Sequence, residues 1–283
     1  MTDLTIKWLI GDWPNKPIHK QGLLMLETSI RFSRMIFNDA TRIISIASLQ
    51  SKDSLEYVKK IGKDQNAEIV FAKSYSDQLP PLLANSNRRN AWWKYVPLKI
   101  NPNDHNLILD NDFIIWRRTS EINSWLNNGG LLGYGVKSGN PDPPEDGSKN
   151  WGEGIHFGSK HKWVKSFAGT MALNGGLNGI GENVQKLPIS LFEIDSWDEF
   201  PEDQAWWTSN FAKYSGKKEI IDYQKNMPVM YKWSRFAKEK ITPNVFMKNY
   251  NGAHFTTHNA GWCQYYADYC HHGFDMYLKE RGY

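Results

Sequence analysis

The sequence predicts an α/β fold with a mixed, mainly parallel central sheet. In the first half of the chain, strand-like and helix-like segments alternate, which is the order that a parallel sheet with helices on its faces requires. The strand-like segments are apolar almost throughout, as in sheets that are covered on both sides. With 283 residues, of which 40% are hydrophobic and 23% are charged, the chain can form one large globular domain.

Four strands are predicted in the first half from short runs of mostly apolar, often β-branched residues. Each run ends at a polar or glycine-containing loop, and the first is closed by Gly11-Asp12-Trp13-Pro14. The four predicted strands are residues 6–10, 41–47, 67–72 and 105–109.

Between these strands, apolar side chains recur every three or four residues, which is the spacing of one helix face. Leu23, Leu26 and Ile30 show this spacing in the first of the segments. Each helix links two strands, so the strands are expected to run parallel. The predicted helices are residues 19–37, 53–61 and 85–98.

The second half of the chain is less regular. Residues 137–162 are rich in Gly, Pro, Asp and Lys, and a loop of this length inside a compact domain is typically a lid or a binding loop. Short apolar or alternating runs predict further strands, and a helical pattern follows the second of them. These elements are strands at 170–173, 191–194 and 252–258 and a helix at 204–214.

The composition excludes several classes of function. The net charge of +4 is spread along the chain rather than gathered in a basic stripe, so we expect no nucleic-acid partner. A mean hydropathy of −0.59 and the lack of a long apolar run predict no membrane span. The start, Met1-Thr2-Asp3, has no signal-peptide pattern, and Cys263 and Cys270 are expected to be free thiols, so the sequence predicts a cytoplasmic location.

The strongest chemical signal is Asp110-Asn111-Asp112, directly after the predicted strand 105–109. Ligands of open α/β sheets bind at the carboxyl ends of strands, and two carboxylates one residue apart can hold Mn²⁺ or Mg²⁺. Such an ion can bridge the phosphates of a nucleotide diphosphate. The alternative is a polar turn, but turns seldom interrupt one apolar stretch, and residues 113–116 are apolar again.

A histidine can complete this coordination shell, and two are candidates. His254 and His258 share one face if residues 252–258 form a strand, because side chains alternate between the two faces. We expect His258 to be the ligand, since it precedes a turn at Asn259-Ala260-Gly261-Trp262, and His254 is the second choice. The alternative is a pair of hydrogen-bonded histidines that hold no metal.

Two further segments offer small or polar residues to a ligand. Asn174-Gly175-Gly176 follows the predicted strand 170–173, and glycines let a ligand approach the backbone closely. Asn-Gly is also a common hairpin turn. Asp203 opens the predicted helix at 204–214, where it either caps the helix or points into a site and contacts a sugar.

Basic and aromatic residues surround these motifs. The helix before the Asp-x-Asp strand carries Arg88, Arg89 and Lys94. These side chains either face a diphosphate or form a solvated helix face, and Lys94 is the first candidate for a contact with the diphosphate. The tandem tryptophans 92–93 and 206–207 cannot share one helix face. In each pair we expect one indole in the core and the other nearer a surface, where it is free to stack on a sugar or a base.

Together these motifs resemble the GT-A-fold glycosyltransferases, and most closely glycosyltransferase family 8, which contains glycogenin and bacterial galactosyltransferases. The resemblance departs from that family where Gly175 replaces a serine and where the late histidine lacks a following Lys-Pro-Trp. The matching segments are 89–116 (basic helix and strand into Asp-x-Asp), 174–176 (Asn-Ser-Gly turn), 200–206 (Asp-Gln motif) and 258–262 (His-x-x-Gly).

The resemblance implies one GT-A domain over residues 1–283, with a nucleotide-binding half at 1–117 and an acceptor-binding half at 118–283. It implies that a UDP- or GDP-sugar is the donor and that a glycan or another hydroxyl compound is the acceptor. The implied roles are metal binding by Asp110, Asp112 and His258, donor binding by Asp12, Lys94, Asp110, Asn111, Asn174, Gly175 and Gly176, and catalysis by Asp203 and Gln204.

Two other functions stay open at this point. A Mg²⁺-dependent phosphohydrolase of the haloacid-dehalogenase-like class would use Asp110 as its nucleophile. That class carries Asp-x-Asp-x-Thr/Val on the first strand, whereas this run is late in the sheet and Ile114 stands at its last position. A non-catalytic carbohydrate-binding protein would instead bind sugars by stacking them on some of the 13 tryptophans.

Overall fold

The computed structural model describes residues 3–12, 17–84, 89–136, 172–196, 203–223, 225–230, 242–255 and 266–283. Seven of its strands form one sheet, in the order β3-β2-β1-β4-β7-β6-β8, and two short strands, β5 and β9, pair separately. The strands are β1 (Leu4–Gly11), β2 (Thr41–Ser48), β3 (Glu68–Phe71), β4 (His105–Asp110), β5 (Phe113–Ile115), β6 (Leu131–Val136), β7 (Ala172–Ile180), β8 (Lys218–Asp222) and β9 (Gly252–His254).

Helices cover both faces of this sheet. In the described ranges, no helix is both long and apolar enough to cross a membrane. The α-helices are α1 (Lys20–Ile36), α2 (Lys52–Gln65), α3 (Pro81–Ala84), α4 (Arg89–Trp92), α5 (Ser120–Asn128), α6 (Asp203–Lys213), α7 (Pro243–Asn249) and α8 (His272–Lys279). Short 3-10 helices span Ala72–Gln78, Trp93–Tyr95 and Leu191–Ser196, and a π-helical turn spans Tyr266–His271.

The sheet is mixed and mainly parallel, as predicted. Strands β1 to β4 run in one direction, with β1 between β2 and β4. Only β7 is reversed among the seven strands, since it pairs antiparallel with both β4 and β6. Because β7 is reversed, its amino-terminal half lies beside the carboxyl end of β4, which brings a distant segment to the edge where ligands bind.

All four residues of the tandem tryptophan pairs are buried, so the prediction that one of each pair lies nearer a surface is wrong. Trp206 lies 4.8 Å from the Tyr95 ring and Trp207 stacks on the same ring at 6.1 Å. The Trp92 ring lies 6.0 Å from the Trp206 ring, so both pairs belong to one buried cluster. The tryptophans in the described residues are therefore packing residues.

Three predicted elements differ in type or length. Residues 191–194 form a 3-10 helix rather than a strand, because the Ser190 hydroxyl and the Glu193 carboxylate accept backbone N–H groups that a strand would use in its ladder. The predicted helix 85–98 ends at Tyr95, since the residue before Pro97 avoids helical geometry. The predicted strand 252–258 is described only as Gly252–His254 and Phe255, with 256–258 outside the described residues.

Several elements carry too weak a sequence signal to be predicted: β5, α5, β6, β8, α7 and the C-terminal helices. Strand β5 is three residues long and pairs with β9, far along the chain. Helix α5 begins at a Thr119 cap, whose hydroxyl accepts the Ile122 N–H at 3.2 Å. Short elements of this kind depend on tertiary contacts more than on local periodicity.

The central strand β1 carries an unusual buried lysine. Lys7 is 2% exposed, and its ammonium donates to the Pro97 carbonyl at 2.7 Å. Burial lowers the pKa of Lys7 to about 7. In the unfolded chain the pKa returns to 10.5, so between pH 7 and 10.5 the unfolded chain binds more protons and stability rises with pH.

We expect Lys7→Met to stabilise the fold at pH 6.5 by on the order of 1–3 kcal/mol, because the buried charge is removed. The difference in free energy of unfolding between the variant and the wild type is expected to shrink steadily as the pH rises from 7 towards 10.5. At the upper end of this range the wild-type lysine is increasingly neutral in the unfolded chain as well, so its burial no longer costs a charge. Urea unfolding at pH 6.5, 8 and 9.5 measures it, with the exposed Lys59→Met as control. A difference in stability that stays constant over this range contradicts the assignment.

Candidate active site

The two aspartates of the Asp-x-Asp motif lie where β4 leaves the sheet. Asp110 is the last residue of β4 and pairs with Leu9 of β1, and Asp112 precedes β5. The Asp112 carbonyl accepts the backbone N–H of Phe255 at 3.0 Å, which fixes the turn against the end of β9. The predicted position of both carboxylates, at the carboxyl end of a buried strand, is therefore confirmed.

His254 is the histidine that the structure places beside these aspartates. Its Nε2 lies 3.1 Å from Asp112 Oδ1 and 4.0 Å from Asp110 Oδ2. One ligand atom from each of the three residues lies within 4.8 Å of the other two. His254 was the second choice from the sequence; the first choice, His258, lies outside the described residues.

The pairing of β5 with β9 brings His254 to this position, since Phe113 lies directly opposite it. The His254 ring packs 5.4 Å from the Phe113 ring and 6.4 Å from the Tyr134 ring, measured between centroids. Its Nδ1 is buried without a hydrogen-bond partner in the described structure. The ring is thus held by packing, with Nε2 directed at the carboxylates.

The three side chains form a donor set that suits a divalent cation. Two of the ligand atoms are carboxylate oxygens, which suit Mn²⁺ and Mg²⁺. The third is an imidazole nitrogen, which suits transition metals. Burial raises the pKa of Asp110 above its usual range; Lys94 opposes this, and the nearby charge of Asp112 adds to it. A bound cation would act against burial and against the charge of Asp112, because a nearby positive charge favours the ionised carboxylate.

Lys94 joins the aspartate motif to the start of α6. Its Nζ lies 3.0 Å from Asp110 Oδ1 and 3.1 Å from Asp203 Oδ2. Burial alone would lower the pKa of Lys94, but the two carboxylates outweigh it, and the pKa rises above its usual value. Asp203 is the first residue of α6 and is 6% exposed, so its carboxylate faces inward.

The segment Asn174-Gly175-Gly176 lies inside β7, so the expectation that a strand ends before it is wrong. Gly133 of β6 pairs with Asn178 and Gly135 pairs with Leu173, so residues 174–177 lie opposite the single residue Tyr134. This is a large bulge, and bulges re-aim backbone groups near active sites. The Asn174 side chain accepts the Gly176 N–H at 2.8 Å and shapes it.

The bulge glycines leave room for site residues. A Cβ on Gly175 would lie 3.0 Å from Asp203 Oδ2 and 3.3 Å from the Gln204 side chain. A Cβ on Gly176 would lie 2.6 Å from His254 Cε1. The sequence indicated that glycines here let a ligand approach the backbone closely. The structure shows that side chains of the protein also occupy the space beside them.

Two predicted donor-binding residues make structural contacts. Both carboxylate oxygens of Asp12 accept backbone N–H groups, from Ile18 at 2.8 Å and from Gln50 at 2.5 Å. The Asn111 side chain donates to the Gly22 carbonyl at 3.2 Å and so ties the Asp-x-Asp turn to α1. The side chains of Arg88 and Arg89 lie outside the described part of the chain.

Asn178 is a buried site residue that the sequence analysis missed. Its amide donates to the Gly175 carbonyl at 2.9 Å and to the Tyr95 hydroxyl at 3.4 Å, behind Lys94. The hydrogen bond to Gly175 helps to hold the β7 bulge in place. Its position in β7 close to the Asn-Gly-Gly motif was the available signal, but only the structure shows that it shares the Gly175 carbonyl with Lys94.

Comparison with solved structures identifies the fold. No protein-family model matches the sequence, and no curated protein matches it. The structure of the bifunctional glycosyltransferase WbbM superposes with a TM-score of 0.51 over 99% of this chain, at 10% identity. The chain has a GT-A fold. It spans 52% of the WbbM chain, about half of its length.

Two other GT-A structures are similar at lower scores. Mouse xyloside xylosyltransferase 1 gives a TM-score of 0.49 at 11% identity, over 90% of this chain and 97% of the other. The galactosyltransferase LgtC, in complex with donor and acceptor sugar analogues, gives 0.45 at 12% identity, over 89% and 87%. The predicted GT-A fold is confirmed by the superposition on WbbM, and membership of family 8 stays a prediction.

Proposed function

We propose that this GT-A protein is a metal-dependent glycosyltransferase that moves a sugar from a UDP- or GDP-sugar to a glycan or another hydroxyl acceptor. The observation that carries the proposal is the cluster of Asp110, Asp112 and His254 at the carboxyl end of β4. In open α/β sheets this edge is where nucleotides bind.

The charges of the site support a divalent ion. The ammonium of Lys94 lies within 3.1 Å of both Asp110 and Asp203, so two carboxylates share one positive charge. Asp112 adds a third carboxylate, with its Oδ1 3.1 Å from His254 Nε2. A bound Mn²⁺ or Mg²⁺ would favour the charged form of these carboxylates.

Asp110, Asp112 and His254 would hold the cation. When bound, the cation supplies positive charge to the departing nucleotide diphosphate. The protein groups then have separate tasks. Asn174 and the bulge of β7 shape the wall beside the metal ligands, and Asp203 and Gln204, at the start of α6, lie across Gly175 from them. We assign Asp203 and Gln204 to the donor sugar and Asp12 and Asn111 to the loops that enclose the nucleotide.

A binding panel tests this function. We expect UDP- or GDP-sugars to raise the melting temperature in the presence of Mn²⁺ and to lose that effect in EDTA, because a ligand that binds only the folded state stabilises it by mass action. At a ligand concentration 100 times Kd, the gain is about 2.7 kcal/mol. Release of free sugar from the effective donor then measures turnover.

The same panel separates the other functions. A sugar that stabilises the protein equally with Mn²⁺ and with EDTA indicates a carbohydrate-binding protein. A phosphoenzyme that is trapped on Asp110 indicates the phosphohydrolase. The absence of a shift with every UDP- and GDP-sugar contradicts the glycosyltransferase assignment.

A further inference from the structure

The ammonium of Lys94 is surrounded by protein oxygens. A lysine ammonium has three N–H groups. Three protein oxygens lie at hydrogen-bonding distance: Asp110 Oδ1 at 3.0 Å, Asp203 Oδ2 at 3.1 Å and the Gly175 carbonyl at 3.1 Å. The residue is 3% exposed, so its charge is enclosed by the protein.

We propose that Lys94 is a positioning residue, which orients the metal ligand Asp110 and locks β4, the β7 bulge and α6 together, and that it does not bind the donor phosphates. This inference rests on the proposed function. It assigns to Lys94 a role different from the phosphate contact expected of a basic residue at this place in the sequence.

The two oxygens of Asp110 are divided between two partners. Oδ1 accepts from Lys94, and Oδ2 faces His254 Nε2 at 4.0 Å. The Asp110 side chain is 27% exposed, whereas those of Asp112 and His254 are each 7% exposed. Asp110 is therefore the ligand with the least packing around it, and the contact with Lys94 fixes which oxygen is presented to a cation.

The β7 bulge is built around the same ammonium. The carbonyl of Gly175 accepts from Lys94, and a Cβ at residue 175 would lie 3.2 Å from Nζ. Asn178 donates to the same carbonyl at 2.9 Å. A side chain that moved out to a phosphate would give up the hydrogen bond to this carbonyl and the ion pairs with Asp110 and Asp203, which is costly.

The double variant Lys94→Met/Asp203→Asn tests the inference without a change in net charge. We expect its Kd for Mn²⁺, measured by calorimetry, to rise about tenfold, because Asp110 is no longer oriented. We expect its Kd for UDP or GDP, whichever the wild type binds, to stay within about threefold at saturating Mn²⁺. A direct phosphate contact predicts the reverse: an unchanged Kd for Mn²⁺ and a nucleotide Kd at least tenfold higher.

Lys7→Met is the matched control, since Lys7 is also buried but donates only to a backbone carbonyl; neither Kd is expected to change. If the double variant does not fold, Lys94→Gln/Asp203→Asn keeps an amide donor beside Asp110, and its Kd for Mn²⁺ is expected to rise about threefold. An unchanged Kd for Mn²⁺ in the variant that folds overturns the inference. A wild type that binds Mn²⁺ but neither nucleotide contradicts the proposed function alone, and the Mn²⁺ measurement still decides the role of Lys94.

Discussion

Asp112→Asn is expected to lower donor turnover at least about 100-fold and to abolish the effect of Mn²⁺ on stability. Asparagine keeps the shape of the side chain. Its oxygen can still accept a hydrogen bond from His254 Nε2, which lies 3.1 Å from Asp112 Oδ1 in the wild type. It loses the negative charge and the strong oxygen ligand that a hard cation needs. Stabilisation of transition-state charge by a metal contributes several kcal/mol, and each 1.36 kcal/mol corresponds to about tenfold in rate.

The control for this variant is Asp104→Asn, which lies directly before β4 at the opposite end of the strand. Its carboxylate accepts from the Thr5 hydroxyl at 2.7 Å, and an asparagine oxygen can accept the same hydrogen bond. We expect Asp104→Asn to retain its response to Mn²⁺. Wild-type turnover by Asp112→Asn at saturating Mn²⁺ would contradict the assignment of Asp112 as a metal ligand.

Gly176→Ala is expected to weaken Mn²⁺ binding at least about tenfold while leaving the fold intact. The new Cβ would lie 2.6 Å from His254 Cε1 and 2.8 Å from its Nδ1, so the ring must move. Gly176 does not have a positive φ, so alanine meets no backbone strain. Loss of correct ligand orientation costs about 10- to 100-fold in metal affinity.

Calorimetry with Mn²⁺ and urea unfolding measure these two effects separately. Gly62→Ala in helix α2 is the matched control, because its Cβ would lie 3.0 Å from the Ala67 carbonyl oxygen and from the Ile69 side chain of the edge strand β3. We expect that variant to bind Mn²⁺ as the wild type does. If Gly176→Ala also keeps the wild-type Kd, His254 is not fixed by the β7 bulge in the way the structure indicates.

The fold class could be predicted from the sequence because β1, β2 and β4 are mostly buried strands that alternate along the chain with periodic helices. Helix α1 shows this, since Leu23, Leu26 and Ile30 recur at helical spacing and are buried. The segment Leu191–Ser196 could not be assigned correctly, because a short apolar run has the same pattern in a strand and in a helical turn. Its type was decided by backbone N–H groups that donate to neighbouring side chains.

The candidate site divides in the same way. By itself the sequence determined where the two aspartates lie, because a carboxylate directly after a buried parallel strand must emerge at the carboxyl edge of the sheet. Only the tertiary structure placed His254 beside Asp112, 142 residues away along the chain, and enclosed Lys94 between Asp110 and Asp203. The physical reason is that β5–β9 pairing and the β7 bulge are long-range contacts, and local periodicity carries no record of which distant segments will meet.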